Sequence, residues 1–177
     1  MGMTVSKNTL CNWLKKGKKY LDELVCVLKS IALEKDSIVN CDETWCKVRK
    51  YDHYKKCYIW VLVNKAQKIA IFFYENGSRG RDVLTDFLGD AELKSIMSDG
   101  YNAYVFIGNE LKSARFKYGS DAGAGMAATY HSMIGTVKLH GSSVWNFIGT
   151  FFKKIFNGCR DYVNMVPDKI TLATSQC

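Results

Sequence analysis

Proline is almost absent from this chain. Its 177 residues include one, Pro167, with no internal repeat and no low-complexity linker. Such a composition argues against modules strung on Pro- or Ser-rich tethers and favours one domain with a helical appendage. Long hydrophobic runs are missing too. The clean apolar stretch Tyr58–Val63 is far too short to span a bilayer. Basic residues and polar caps interrupt the first apolar positions, so no signal peptide is expected. The seven cysteines (11, 26, 41, 46, 57, 159 and 177) form no C-x-x-C and no paired ladder. Their odd, irregular set predicts reduced thiols, not a disulfide frame. Cys41 and Cys46 lie five apart, which on a strand points them to opposite faces and makes them packing residues. The histidines at 53, 131 and 140 have no partner at metal spacing, which argues against a histidine-centred enzyme. No block of like charge dominates either.

What is present is a foldable, basic chain. Hydrophobic residues make up 47% and charged residues 24%, enough for a real core. The net charge of +8 divides into +5 over residues 1–60 and +3 over 61–177, and favours a nucleic acid or another polyanion as partner.

Ser6 reads as a helix N-cap, and Leu10, Trp13, Leu14, Leu21, Leu24, Val25 and Leu28 recur at helical spacing. Gly17 is expected to split that pattern into two helices. Lys7, Asn8 and Asn12 could serve bases or phosphates, although any amphipathic surface helix has the same layout. A strand is expected from about Ser37 to Arg49, then a polar turn over 51–56 and a buried strand over Tyr58–Val63. Asn64–Lys68 reads as a hairpin loop and Ile69–Tyr74 as a third strand. Asn76-Gly77 turns the chain, and Ser78 is expected to cap a helix bearing Val83, Leu84, Phe87 and Leu88. Leu93 to Ser98 completes a β-β-β-α-β order. Asp121–Leu139 is expected as a small-residue helix ended by Gly141. Ser142 or Ser143 then caps a strongly apolar helix containing Trp145, Phe147, Ile148, Phe151, Phe152, Ile155 and Phe156.

Two acids stand out. Asp42 lies on the first strand and Asp99 just after the fourth, 57 positions apart. A charge on or beside an apolar strand is costly unless a cation meets it. Two carboxylates brought together repel each other unless a divalent metal sits between them, the arrangement used for phosphoryl transfer on nucleic acid. An aspartate on strand one and another after strand four, in this order of elements, is the ribonuclease H-like plan. The expected fold is therefore α/β, with an N-terminal helical segment (1–35), a ribonuclease H-like core (36–117) and a C-terminal helical region (118–177).

Several stretches resemble transposases of the insertion-sequence-66 (IS66) family. They are Cys41-Asp-Glu-Thr44, Tyr58-Ile-Trp60, Ser78-Arg79, Ser98-Asp-Gly-Tyr-Asn-Ala-Tyr104, Tyr118-Gly-Ser-Asp-Ala-Gly123, Ala127-Ala-Thr-Tyr-His-Ser132 and Gly135-Thr-Val-Lys-Leu-His140. The resemblance implies a cytoplasmic, prokaryotic Asp-Asp-Glu transposase that cleaves the ends of its element and transfers strands. It implies Mg2+ or Mn2+ held by Asp42 and Asp99, DNA as partner, and another copy or the full-length transposase as a further one. Glu43, pointing to the other strand face, is either a supporting or a solvated residue. Lys112, Arg115, Lys117, Arg79 and Arg81 are candidates for phosphate contact and are equally credible as surface charges.

The sequence also departs from the family. The Asn-Asn-x-x-Glu pattern that carries the third acid has no counterpart here, and only Val105–Lys117 separates the second aspartate motif from the Gly-Ser-Asp helix. The family's upstream zinc-binding cysteines have none either. The resemblance thus implies an internally deleted, N-terminally shortened and defective copy, unless Glu110 or Asp121 replaces the lost ligand. The alternative is a non-catalytic DNA-binding or interaction remnant that modulates full-length transposase. Loss of the fifth strand predicts an unpaired sheet edge, with Trp145, Phe151 and Phe152 turned to solvent or to another copy.

Overall fold

A single helix of 26 residues, α1 (Lys7–Ala32), opens the computed structural model, which describes residues 4–97 and 117–170. The Ser6 hydroxyl accepts the Thr9 N–H at 3.1 Å, as an N-cap should. Gly17 does not split this helix. It is buried within it, and a Cβ there would lie 2.8 Å from the Tyr130 hydroxyl and 3.1 Å from the Phe152 ring. The glycine marks a close helix approach, and burial of Leu21, Leu24, Leu28 and Ala32 outweighs its poor helix propensity.

Two long strands follow, β1 (Ile38–Lys50) and β2 (His53–Asn64), paired antiparallel from Asn40↔Val63 to Lys50↔His53. The expected polar turn over 51–56 is in fact a two-residue connection, Tyr51-Asp52, with Tyr51 at φ 46°. Residues 53–57 belong to β2 because cross-strand pairing, not apolar patterning, holds the outer half of this hairpin. Asn64 closes the inner end: its amide donates to the Ala32 carbonyl of α1 at 3.0 Å and accepts the Gln67 N–H at 3.0 Å. Strand β3 (Ile69–Phe73) pairs antiparallel with β2.

Asn76 and Gly77 turn the chain at φ 49° and 71°. Ser78 does not cap the next helix. Its hydroxyl accepts the Gly80 N–H at 3.0 Å, and Gly80 is the N-cap of α2 (Arg81–Leu88). A short strand, β4 (Ser95–Met97), then pairs parallel with β1 through Ile38↔Ser95, Val39↔Ile96 and Asn40↔Met97. β5 (Lys117–Tyr118) pairs parallel with the far part of β1, at Lys47 and Val48. The sheet order is β3-β2-β1-β4, with β5 also on β1.

Helix α3 (Asp121–Leu139) has the boundaries its composition predicts, with Ser120 as N-cap. Its small residues let it press against β3: Gly135 sits where a Cβ would touch Ala70 at 3.3 Å. Ser143, not Ser142, caps α4 (Val144–Phe156), accepting the Asn146 N–H. Phe147, Phe151 and Ile155 of α4 join Leu21, Leu24 and Leu28 of α1, Met133 and Val137 of α3, and Leu62 and Ile71 of the sheet in one core. Phe151 is thus buried, contrary to expectation, and Phe152 packs against the same core; Trp145 is 84% exposed. Cys41 and Cys46 enter different clusters, one beside Trp60 and Val83, the other beside Cys57 and Ile59, as opposite strand faces require. The fold is a mixed α/β one, with a five-stranded sheet and four α-helices among the described residues. No described helix is long and apolar enough to cross a membrane.

Candidate functional site

Asp42 lies in the inner half of β1, partly buried, opposite Val61. Its Oδ1 accepts the N–H of Glu43 at 2.7 Å, which fixes the carboxylate against its own strand. It stands two positions beyond Asn40, whose parallel neighbour is Met97 of β4. Cys41 next to it is buried, and its thiol is pushed up to about 12 by that burial first and by the charges of Asp42 and Glu43 second.

Glu43 takes the opposite face, as strand alternation requires. Its side chain is partly buried and ion-paired. Its Oε1 accepts from Arg79 Nε at 2.5 Å, and this bond, followed by the charge of Glu43, raises the guanidinium's pKa. The Arg79 guanidinium also lies 5.4 Å from the centre of the Tyr58 ring. Trp60, the register partner of Glu43, donates its indole N–H to the Ser78 carbonyl at 3.1 Å and so fixes the segment that carries Arg79.

The remaining expected residues that are described are scattered. Lys7 and Asn8 are exposed on the first turn of α1. Arg81 opens α2. Asp99, Glu110, Lys112 and Arg115 lie outside the described residues.

Asp121 starts α3 and is bonded to Lys50 and to the Tyr74 hydroxyl. Those two bonds, Lys50 first, hold its carboxyl below the usual aspartate range, while burial and the Asp121 bond push the Tyr74 phenol up. Lys50 is eight positions along β1 from Asp42, roughly 26 Å at ~3.3 Å per residue. Asp121 is therefore tied to the outer hairpin, remote from Asp42. His131 packs against the Phe72 ring at 5.7 Å between centroids, and burial lowers its pKa. His53 pairs with Asp52 at the hairpin tip at 3.0 Å.

Asp42 is a hard oxygen donor of the kind Mg2+ takes. Among the described residues, however, no group of three or more His, Cys, Asp or Glu gathers to hold a metal ion. Lys56 and Tyr58 are two positions apart on β2, but the place of Arg79 over Tyr58 was not legible in the linear sequence, because the segment after β3 must first be bonded to β2 through Gly77 and Ser78.

The model of the transposase IS66 family matches residues 1–115. The Gly-Ser-Asp motif and the α3 motifs lie beyond the matched part. No curated protein and no solved structure matches the chain.

Proposed function

Because the chain belongs to the transposase IS66 family, we propose that it descends from a metal-dependent DNA transposase and is a defective copy of it. In this reading its sheet is the core of a ribonuclease H-like fold. The observation that carries the reading is the pairing of Asn40 with Met97. It joins β1 and β4 in parallel across the α2 crossover, after two antiparallel pairings, which is the strand plan of that fold. Asp42 follows Asn40 by two positions, and Asp99 follows Met97 by two in the sequence.

Asp42 and Asp99 are the proposed ligands of Mg2+ or Mn2+. A metal so bound supplies activation of water or a 3′-hydroxyl and stabilisation of the in-line phosphoryl transition state. The Glu43 N–H orients the Asp42 carboxylate, and the bond between Glu43 and Arg79 keeps the second acid off that site. No third acid is supplied by Asp121, which Lys50 and Tyr74 hold. Catalysis needs its metals held to a fraction of an ångström, so a missing ligand lowers the rate by orders of magnitude.

The scarcity of ligands around Asp42 among the described residues also supports a second reading: a non-catalytic DNA-binding remnant that modulates full-length transposase by mixed assembly. Nicking of supercoiled DNA carrying an element end, in Mg2+ and in Mn2+, tests the loss of cleavage that both readings entail, and salt-dependent binding to that DNA without cleavage favours the second. No cleavage, alike in the native chain, Asp42→Ala and Asp99→Ala, is the expected result. Cleavage abolished by both substitutions would show a working site and sink the proposal that the copy is defective. Glu110→Ala would then identify the replacement acid.

A further inference from the structure

The outer half of the β1–β2 hairpin carries a charge pattern that the chemistry at Asp42 does not use. Facing pairs on an antiparallel ladder share one side of the sheet. Glu43–Trp60, Trp45–Tyr58, Lys47–Lys56 and Arg49–Tyr54 are such pairs, and alternation puts all eight residues on the side opposite Asp42. The parallel pairing of β5 adds Lys117 next to Lys47. Lys56, Lys47 and Lys117 therefore stand in line across three adjacent strands, and all three are exposed.

Strands lie about 4.8 Å apart, and like charges directly opposite each other destabilise a sheet. Three aligned lysines are thus costly in the protein alone and become favourable against a polyanion. The acid on this face, Glu43, is already bonded to Arg79. Asp52 at the hairpin tip is paired with His53.

The rungs on either side of the lysines are aromatic. Trp45 is 38% exposed and Tyr54 52%. The Lys56 ammonium lies 5.9 Å from the Trp45 ring centre and 5.5 Å from that of Tyr58, with Arg79 over Tyr58 as well. Rungs on one face repeat every ~6.8 Å along a strand. A surface alternating cations with flat apolar rings matches a chain that alternates phosphates with flat bases. A duplex hides the faces of its bases, so the rings favour a single strand.

We propose that this face of the hairpin binds single-stranded DNA, with phosphates along Lys56, Lys47 and Lys117 and bases stacked on Trp45 and Tyr54. The surface lies on the opposite side of β1 from Asp42, so binding is independent of metal and of cleavage.

The test is fluorescence anisotropy of the whole chain with a labelled oligothymidylate of about 20 nucleotides, against a duplex of equal length, in EDTA over a range of salt. The native chain and Asp42→Ala should bind the single strand alike and more tightly than the duplex. Replacing Lys47, Lys56 and Lys117 together by Gln should flatten the slope of log affinity against log salt by about 2, at ~0.7 per phosphate contact. Tyr54→Ala should weaken binding about tenfold with the slope kept, the signature of lost stacking. Thermal unfolding without DNA supplies a readout that a misfolded variant cannot mimic: the triple Gln variant should melt at the native temperature or above it. No binding, an unchanged salt slope, or duplex bound as tightly as single strand would overturn the proposal. Because EDTA removes any metal, a negative nicking result leaves this test unaffected, and the reverse also holds.

Discussion

Ser132 of α3 serves both backbone groups of Phe72 on the outer edge of β3. Its Oγ accepts the Phe72 N–H at 2.8 Å and lies 3.1 Å from the Phe72 carbonyl, its single proton shared with the Ala128 carbonyl at 2.8 Å. One helical turn on, Thr136 treats Ala70 the same way, at 3.1 Å to N and 3.1 Å to O. Four edge groups that another strand would bond are thus bonded by two hydroxyls, and all are buried. An unpaired strand edge is a template for aggregation, and a helix with hydroxyls at i and i+4 removes it.

Thr136→Val keeps the shape and removes the hydroxyl. It should destabilise the protein by about 1–3 kcal/mol, the cost of leaving buried backbone groups unsatisfied. Adding Ser132→Ala should bring a further loss and visible self-association. Urea unfolding and light scattering check this; a double variant as stable and monodisperse as the native chain would remove the edge-capping role.

Gly77 should tolerate no side chain. It stands at φ 71°, and a Cβ there would lie 2.4 Å from both Cβ and Sγ of Cys57. Cys57 is fully buried in the sheet, so it has nowhere to move. Gly77→Ala combines the left-handed backbone cost of about 1–2 kcal/mol with overpacking of about 1–3 kcal/mol. A loss of several kcal/mol in urea unfolding is expected, and a loss below 1 kcal/mol would contradict the packing at this turn.

Asp121 gives the stability a definite pH dependence. Its carboxyl is lowered in the folded chain, chiefly by Lys50 and then by Tyr74. Between the folded value and the ordinary ~3.9, the unfolded chain binds more protons, so stability rises with pH there. The contribution is full above the ordinary value and disappears as pH falls through the folded one. Asp121→Asn should therefore unfold more easily than the native chain near neutrality, and the gap should close in acid. Parallel curves down to strong acid would show that the Lys50 and Tyr74 bonds carry no linked stability.

Much of the local structure was legible in linear order. Ser6 could be recognised as a cap, the cap of α4 narrowed to Ser142 or Ser143, Asn64–Lys68 read as a loop, and Asp121–Leu139 as one helix, because capping chemistry and helical spacing are contained in windows of a few residues. Gly17 was misleading for the same reason: propensity is local, whereas the close approach of Tyr130 and Phe152 that requires a glycine is not. Ser78 offered its hydroxyl to the nearest N–H, that of Gly80, and the helix began later than the sequence suggested.

The sequence by itself determined most of the helices and the inner strands, the basic charge, the thiols without a disulfide pattern, and the motifs that place the chain in its family. Only the tertiary structure decided that Glu43 belongs to Arg79, that Asp121 belongs to Lys50 and Tyr74, and that Ser132 and Thr136 close a sheet edge. It alone aligned Lys56, Lys47 and Lys117, which lie 9 and 70 positions apart in the chain. The physical reason is register. A strand's residues have neighbours only once another strand is set beside them, and a shift by one residue would turn every one of those side chains to the other face.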